Sequence, residues 1–197
     1  MPETTDSDPP RPLSVARLLS MQAHANRLAN RRLQAALAGL STSDLHARRT
    51  SFFPTLIGTL NHLLAVDRYY IAALHGEADM EAQYRRFAPH DELPPYASAQ
   101  DASDQKLIAF CDRLDDAGAN AVVHMLHGAD PTKSDLACLV LEHLFMHQTH
   151  HRGQVHSMLS GTHVKPPQLD EFILRVDEPF RVMEMSALGW TEREIYC

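Results

Sequence analysis

Four stretches of this chain repeat apolar residues at three- and four-residue intervals, and a glycine closes each of them. That spacing puts the apolar side chains on one stripe of an α-helix, which must be buried against another element. The first runs from Leu13 to Leu37 through Leu18, Met21, Ala25, Leu28 and Leu33, and stops at Gly39. A second, Ser51 to Leu74, carries Phe53, Leu56, Ile57, Leu60, Leu63, Leu64 and Tyr70, with Pro54 in its first turn and Gly76 beyond its end. The third, Ser98 to Leu114, holds Leu107, Ile108 and Cys111 on one stripe before Gly118. A fourth starts near Ser134, passes through Leu136, Leu139, Val140, Leu144, His147, His151, Val155 and Leu159, and stops at Gly161. Four long amphipathic helices with no convincing set of strands predict an all-α four-helix bundle. The short apolar run from Ala121 to Leu126 reads as a strand or a crossover, and Ala78 to Tyr96 as polar and proline-broken. In this reading residues 1–12 form a flexible tail and residues 13–165 the bundle. Residues 166–197 form a C-terminal extension packed on it, with Trp190 in a short final helix.

Composition narrows the function classes. A chain of 197 residues that is 44% hydrophobic can bury one sizeable core without disulfides. Cys111, Cys138 and Cys197 are odd in number and contain no C-x-x-C, which argues against a disulfide framework and a cysteine zinc site and points to a reducing, cytoplasmic setting. Polar, proline-rich residues open the chain where a secretory signal would need an apolar run. Ser51 to Val66, the longest uncharged apolar stretch, is too short to span a bilayer, so no membrane is expected. A net charge of −7 with scattered basic residues excludes a nucleic-acid partner.

Among 13 histidines only spacing can separate ligands from filler. His147 and His151 stand four residues apart, so on a helix they lie ~6 Å apart along the axis and about 40° apart around it, aimed at one point. His143 with His147, or His147 with His150, has similar spacing, and spacing alone does not choose among these pairs. A metal site needs a third ligand from elsewhere, and His62, amid Leu60, Leu63 and Leu64, is the best candidate. A histidine on an apolar stripe is more commonly a hydrogen-bonded core residue. Rival chemistries find no support: Glu-x-x-His pairs, H-E-x-x-H and G-x-S-x-G are all absent, and Cys111 and Cys138 read as inert core residues. Asn61, Asp67, Gln148 and Gln154 could orient imidazoles or bind substrate, Arg152 suits an anionic group or a surface salt bridge, and Gly153 suggests close packing at a neighbouring helix or partner subunit.

The segment His147 to His156, His-Gln-Thr-His-His-Arg-Gly-Gln-Val-His, resembles the C-terminal metal motif of the DinB/YfiT-like proteins. Gly58 to Asp67, Gly-Thr-Leu-Asn-His-Leu-Leu-Ala-Val-Asp, resembles the same family's motif on its second helix, and the likeness covers about residues 13–165. The resemblance implies a bundle in which His62, His147 and His151 bind one divalent transition metal, zinc or nickel first and iron as a further choice. It also implies homodimers. Relatives include thiol-dependent S-transferases and isomerases, so a small-molecule substrate and a low-molecular-weight thiol are the partners to look for. The expected function is a metal-dependent enzyme that activates a thiol or water for transfer to a small electrophile. A non-catalytic metal-stapled bundle and a metal-free helical interaction module are the rival readings.

Overall fold

The computed structural model describes residues 12–127 and 130–196. The tail expected over residues 1–12 lies outside them save for Pro12, as does Cys197. Helix α1, Val15–Leu37, begins where Ser14 Oγ accepts the Arg17 amide. A capping box between Ser41 and Asp44 starts the short α2, Thr42–His46. Helix α3 spans Leu56–Leu74, five residues shorter at its start than the apolar pattern suggests. Thr55 takes an extended backbone and caps the Gly58 amide, which leaves Phe53 and Pro54 in the preceding loop.

The segment read as polar and proline-broken contains α4, Met80–Arg85, and the start of α5, Leu93–Cys111. Helix α5 begins ahead of the predicted Ser98 because prolines occupy its first turn, where a missing N–H costs nothing. After α6, Asp116–Ala119, the chain makes a hairpin of β1, Val122–His127, and β2, Asp130–Leu136, antiparallel in a register that pairs Val122 with Leu136. Thus the apolar run is a strand, and its partner takes residues assigned from the sequence to the start of the last long helix. That helix, α7, spans Ala137–Leu159. Beyond it lie a 3-10 turn, α8 at Glu178–Ala187 and α9 at Glu192–Tyr196. Trp190 sits in the link between α8 and α9 rather than in a helix.

Helices α1, α3, α5 and α7 form the bundle, each of α1 and α3 packing on both α5 and α7. One apolar layer gathers Leu19, Ala23, Ile71, Leu107, Leu141 and Leu144, and another Leu33, Leu37, Leu60, Leu64, Val155 and Leu159. Between them along every helix lies a polar layer. Arg152 donates to Gln148 Oε1 at 3.0 Å, and Gln148 Nε2 donates to Asp67 Oδ2. Gln100 Nε2 donates to Asp67 Oδ2 at 2.8 Å and to Asp104 Oδ1 at 3.1 Å. Asn30 donates to both Asp104 oxygens at 3.0 Å and accepts from Arg152 at 3.1 Å, which closes a ring through all four helices. Asn26 and Tyr96 join it from the side. Arg152, expected at an anion or on the surface, is therefore an interior residue.

The C-terminal extension packs Phe172, Met185, Ile195 and Tyr196 on Met21, Ala25, Leu28 and Ala29 of α1. Arg32 of α1 grips it through Glu171, Glu184 and the Phe180 and Gln168 carbonyls. Arg181, fully buried, forks onto Glu192 at 2.7 and 2.8 Å and lies over the Tyr196 ring.

Burial raises the Asp67 carboxyl to about 8, with Asp104 beside it adding to the shift, while burial also lifts Asp104 to about 6. Asp67 Oδ1 is buried with no hydrogen-bond partner among the described residues, so the charged form is poorly solvated there. A folded pKa above the unfolded value of ~3.9 stabilises the fold in acid, and that contribution is lost as the pH rises towards 8. Asn mimics the protonated acid, so Asp67→Asn should gain unfolding free energy relative to the parent between pH 5 and pH 8. Urea melts at both values test this, and a gap independent of pH would contradict it.

Gly153 does not mark close packing against another helix of this chain: a Cβ there would meet nothing within 4 Å. Gly153→Ala should stabilise the fold by about 1 kcal/mol through helix propensity alone, read from the same melts.

Candidate metal centre

His62 stands on α3 just after its first turn, and His147 and His151 lie on successive turns of α7, the helix packed against it. Their ligand atoms all fall within 4.8 Å of one another, and the Nε2 atoms of His62 and His147 are 3.1 Å apart. Two nitrogens on ~2.1 Å bonds at a tetrahedral angle would stand roughly 3.4 Å apart, so the spacing is close to that of a shared ion. The structure thus brings together all three residues singled out in the sequence, while His143 and His150 of the rival pairs stand outside that group. His143 instead packs its ring on Tyr70, His150 meets Gln154, and His156 bonds the Pro167 carbonyl.

The protonation states of the three rings favour metal binding. Burial, followed by the neighbouring His151 and His62, holds the His147 imidazole down at about 3. Burial also lowers His62 and His151. All three rings are therefore neutral at neutral pH, the state in which an imidazole nitrogen has a lone pair for a cation. Gln154 Oε1 accepts from His151 Nδ1 at 2.8 Å, and its Nε2 donates to His150. With the proton on Nδ1, His151 presents Nε2 as the free donor atom. His147 Nδ1 is buried without a hydrogen-bond partner among the described residues.

Phe53 was read as a helix residue, and its position here had no sequence signal beyond its being apolar. Its ring stacks on His62 at 4.4 Å and 29° and lies 5.8 Å from His151. Phe52 beside it is 82% exposed, so the loop before α3 turns one aromatic ring onto the imidazoles and the other to solvent. Asn61, next to His62, does not bond an imidazole. Its amide donates to the His90 carbonyl at 2.8 Å and accepts the His90 amide at 2.7 Å, tying the segment before α5 to α3. Asp67 and Gln148 belong to the interior ring. Cys111 is buried and its thiol is pushed up to about 12, an unreactive state that agrees with a core role.

The family model described as the DinB family matches residues 17–178, from α1 to the first residue of α8. No curated protein matches the chain. No helix among the described residues is long and apolar enough to cross a membrane.

If Gln154 selects the tautomer of His151, Gln154→Ala should weaken binding of added zinc about 10- to 100-fold without unfolding the bundle. Competition with a chromophoric chelator measures this, and an unchanged affinity would remove Gln154 from the site.

Proposed function

Because this chain belongs to the DinB family, we propose that His62, His147 and His151 hold one divalent transition-metal ion and that the protein is a metal-dependent enzyme transferring a thiol to a small electrophile. Three neutral imidazoles suit zinc or nickel, with iron also compatible with an all-nitrogen set. A bound cation of this kind lowers the pKa of a thiol or water towards neutrality. The protein's own residues do the rest: Gln154 orients His151, burial keeps the three rings unprotonated, and the Phe53 ring shields the His62 side of the site from water.

One observation carries this reading. Among the described residues the group of potential ligands numbers three, where a structural zinc site has four, so positions are left for a substrate atom. His62 and His147 are only partly buried, which leaves the group within reach of a small molecule. Openness admits a small molecule, and the resemblance to thiol-dependent relatives makes a low-molecular-weight thiol with a small electrophilic partner the substrate class proposed.

A second reading has its own support: the three residues come from two packed helices, so an ion would also staple α3 to α7. Metal analysis beside kinetics separates the two. The purified protein should carry about one equivalent of metal, lost in His147→Ala, and should accelerate conjugation of cysteine or glutathione with an activated aryl halide at least ~10-fold over that variant. Stoichiometric metal with no acceleration, and a fall in melting temperature on chelation, would favour the staple.

A further inference from the structure

A cavity of about 480 Å3 lies between α3 and the α4 segment, lined by Arg68, Arg86, Gln83, Tyr84, Phe87 and His90 together with two alanines. It is within the range of small-molecule sites, roughly 300–1,000 Å3. No acidic residue lines it, in a chain whose net charge is −7. The acids just before Gln83 already have partners: Glu77 bonds Lys106 and Gln83, Asp79 bonds Gln83, and Glu81 pairs with Arg85. Arg68 and Arg86 form no ion pair among the described residues. The Arg68 guanidinium stands 5.7 Å from the centre of the Phe87 ring, which holds it near the cavity and leaves its N–H edges free to donate. His90, fixed at its backbone by Asn61, has its Nε2 buried with no partner among the described residues, a cost that a ligand or water admitted beside it would relieve.

Two arginines without an ion pair among the described residues line one space, with aromatic walls beside them, and this arrangement matches one chemistry. We propose that this cavity binds a small organic anion, its carboxylate or phosphate oxygens taken by Arg68 and Arg86 and its apolar part lying against Tyr84 and Phe87. The site is independent of any metal. It is nevertheless adjacent to the histidine group, since Ala65 in its wall is one helical turn beyond His62.

Calorimetric titration of the full-length protein with benzoate, inorganic phosphate and benzylamine tests the proposal. At least one of the two anions should bind saturably at one per chain with a Kd of about 1 mM or tighter, the tighter of them identifying the oxyanion, and benzylamine should not bind. The Arg68→Gln/Arg86→Gln double variant should lose at least ~10-fold in affinity, while Arg68→Lys/Arg86→Lys, which keeps the charge and controls for folding, should retain more of it. Absence of saturable binding by both anions, equal binding of benzylamine, or unchanged affinity in the double glutamine variant would overturn the site. Binding lost in His147→Ala but kept in the double variant would place the anion on the histidines instead, and would equally overturn it.

Discussion

The ring of hydrogen bonds through Arg152, Gln148, Asp67, Gln100, Asp104 and Asn30 is the constraint on which the arrangement of this bundle depends. Apolar contacts above and below it tolerate sliding, because leucine against leucine is nearly as good one turn on. Buried amides, carboxylates and a guanidinium do not, since each donor displaced from its acceptor in a low-dielectric interior loses its partner and finds no water. The ring thereby fixes both the height and the rotation of four helices at once. On α7 its two members immediately follow the two histidines: Gln148 comes after His147, and Arg152 after His151. Turning Gln148 and Arg152 inward leaves His147 and His151 one definite direction, towards His62. The geometry of the candidate metal centre is thus set largely by residues that do not belong to it.

The C-terminal extension is held by a different logic. Arg32 and Arg181 each gather several oxygens around one guanidinium, and each lies against an aromatic ring, Phe172 and Tyr196 respectively. The fork geometry of arginine lets one side chain serve as a joint for several loops and short helices whose own apolar surface is small. Residues beyond 178 lie outside the family match, which therefore leaves out α9 and all of α8 but its first residue.

Much of this was legible in the sequence because helices advertise themselves by period. The four long helices, the glycines beyond their ends, and the convergence of His62, His147 and His151 follow from spacing together with the resemblance of two motifs. What could not be read depends on how the elements are rotated about their axes. Arg152 has the composition of a surface residue, and only the packed bundle reveals that its guanidinium has carbonyl oxygens waiting inside. Phe53 continues the apolar pattern of α3, yet the better cap at Thr55 removes it from the helix and lays it over His62. Gly153 suggested a close approach that the bundle does not make. The hairpin of β1 and β2 was half visible, since β1 is apolar whereas β2 is polar and carries no strand signal of its own.

The closed ring also has a consequence on the scale of descent. Its donors and acceptors are matched across four separate helices, so replacing one member by an apolar residue leaves a neighbour unsatisfied in the interior whatever the replacement's size. Such positions cannot drift one by one as the surrounding leucines can. Within lineages related to this chain, Asn30, Asp67, Gln100, Asp104, Gln148 and Arg152 should be inherited or exchanged as a set, and a relative that has lost one of them should show a compensating change in another.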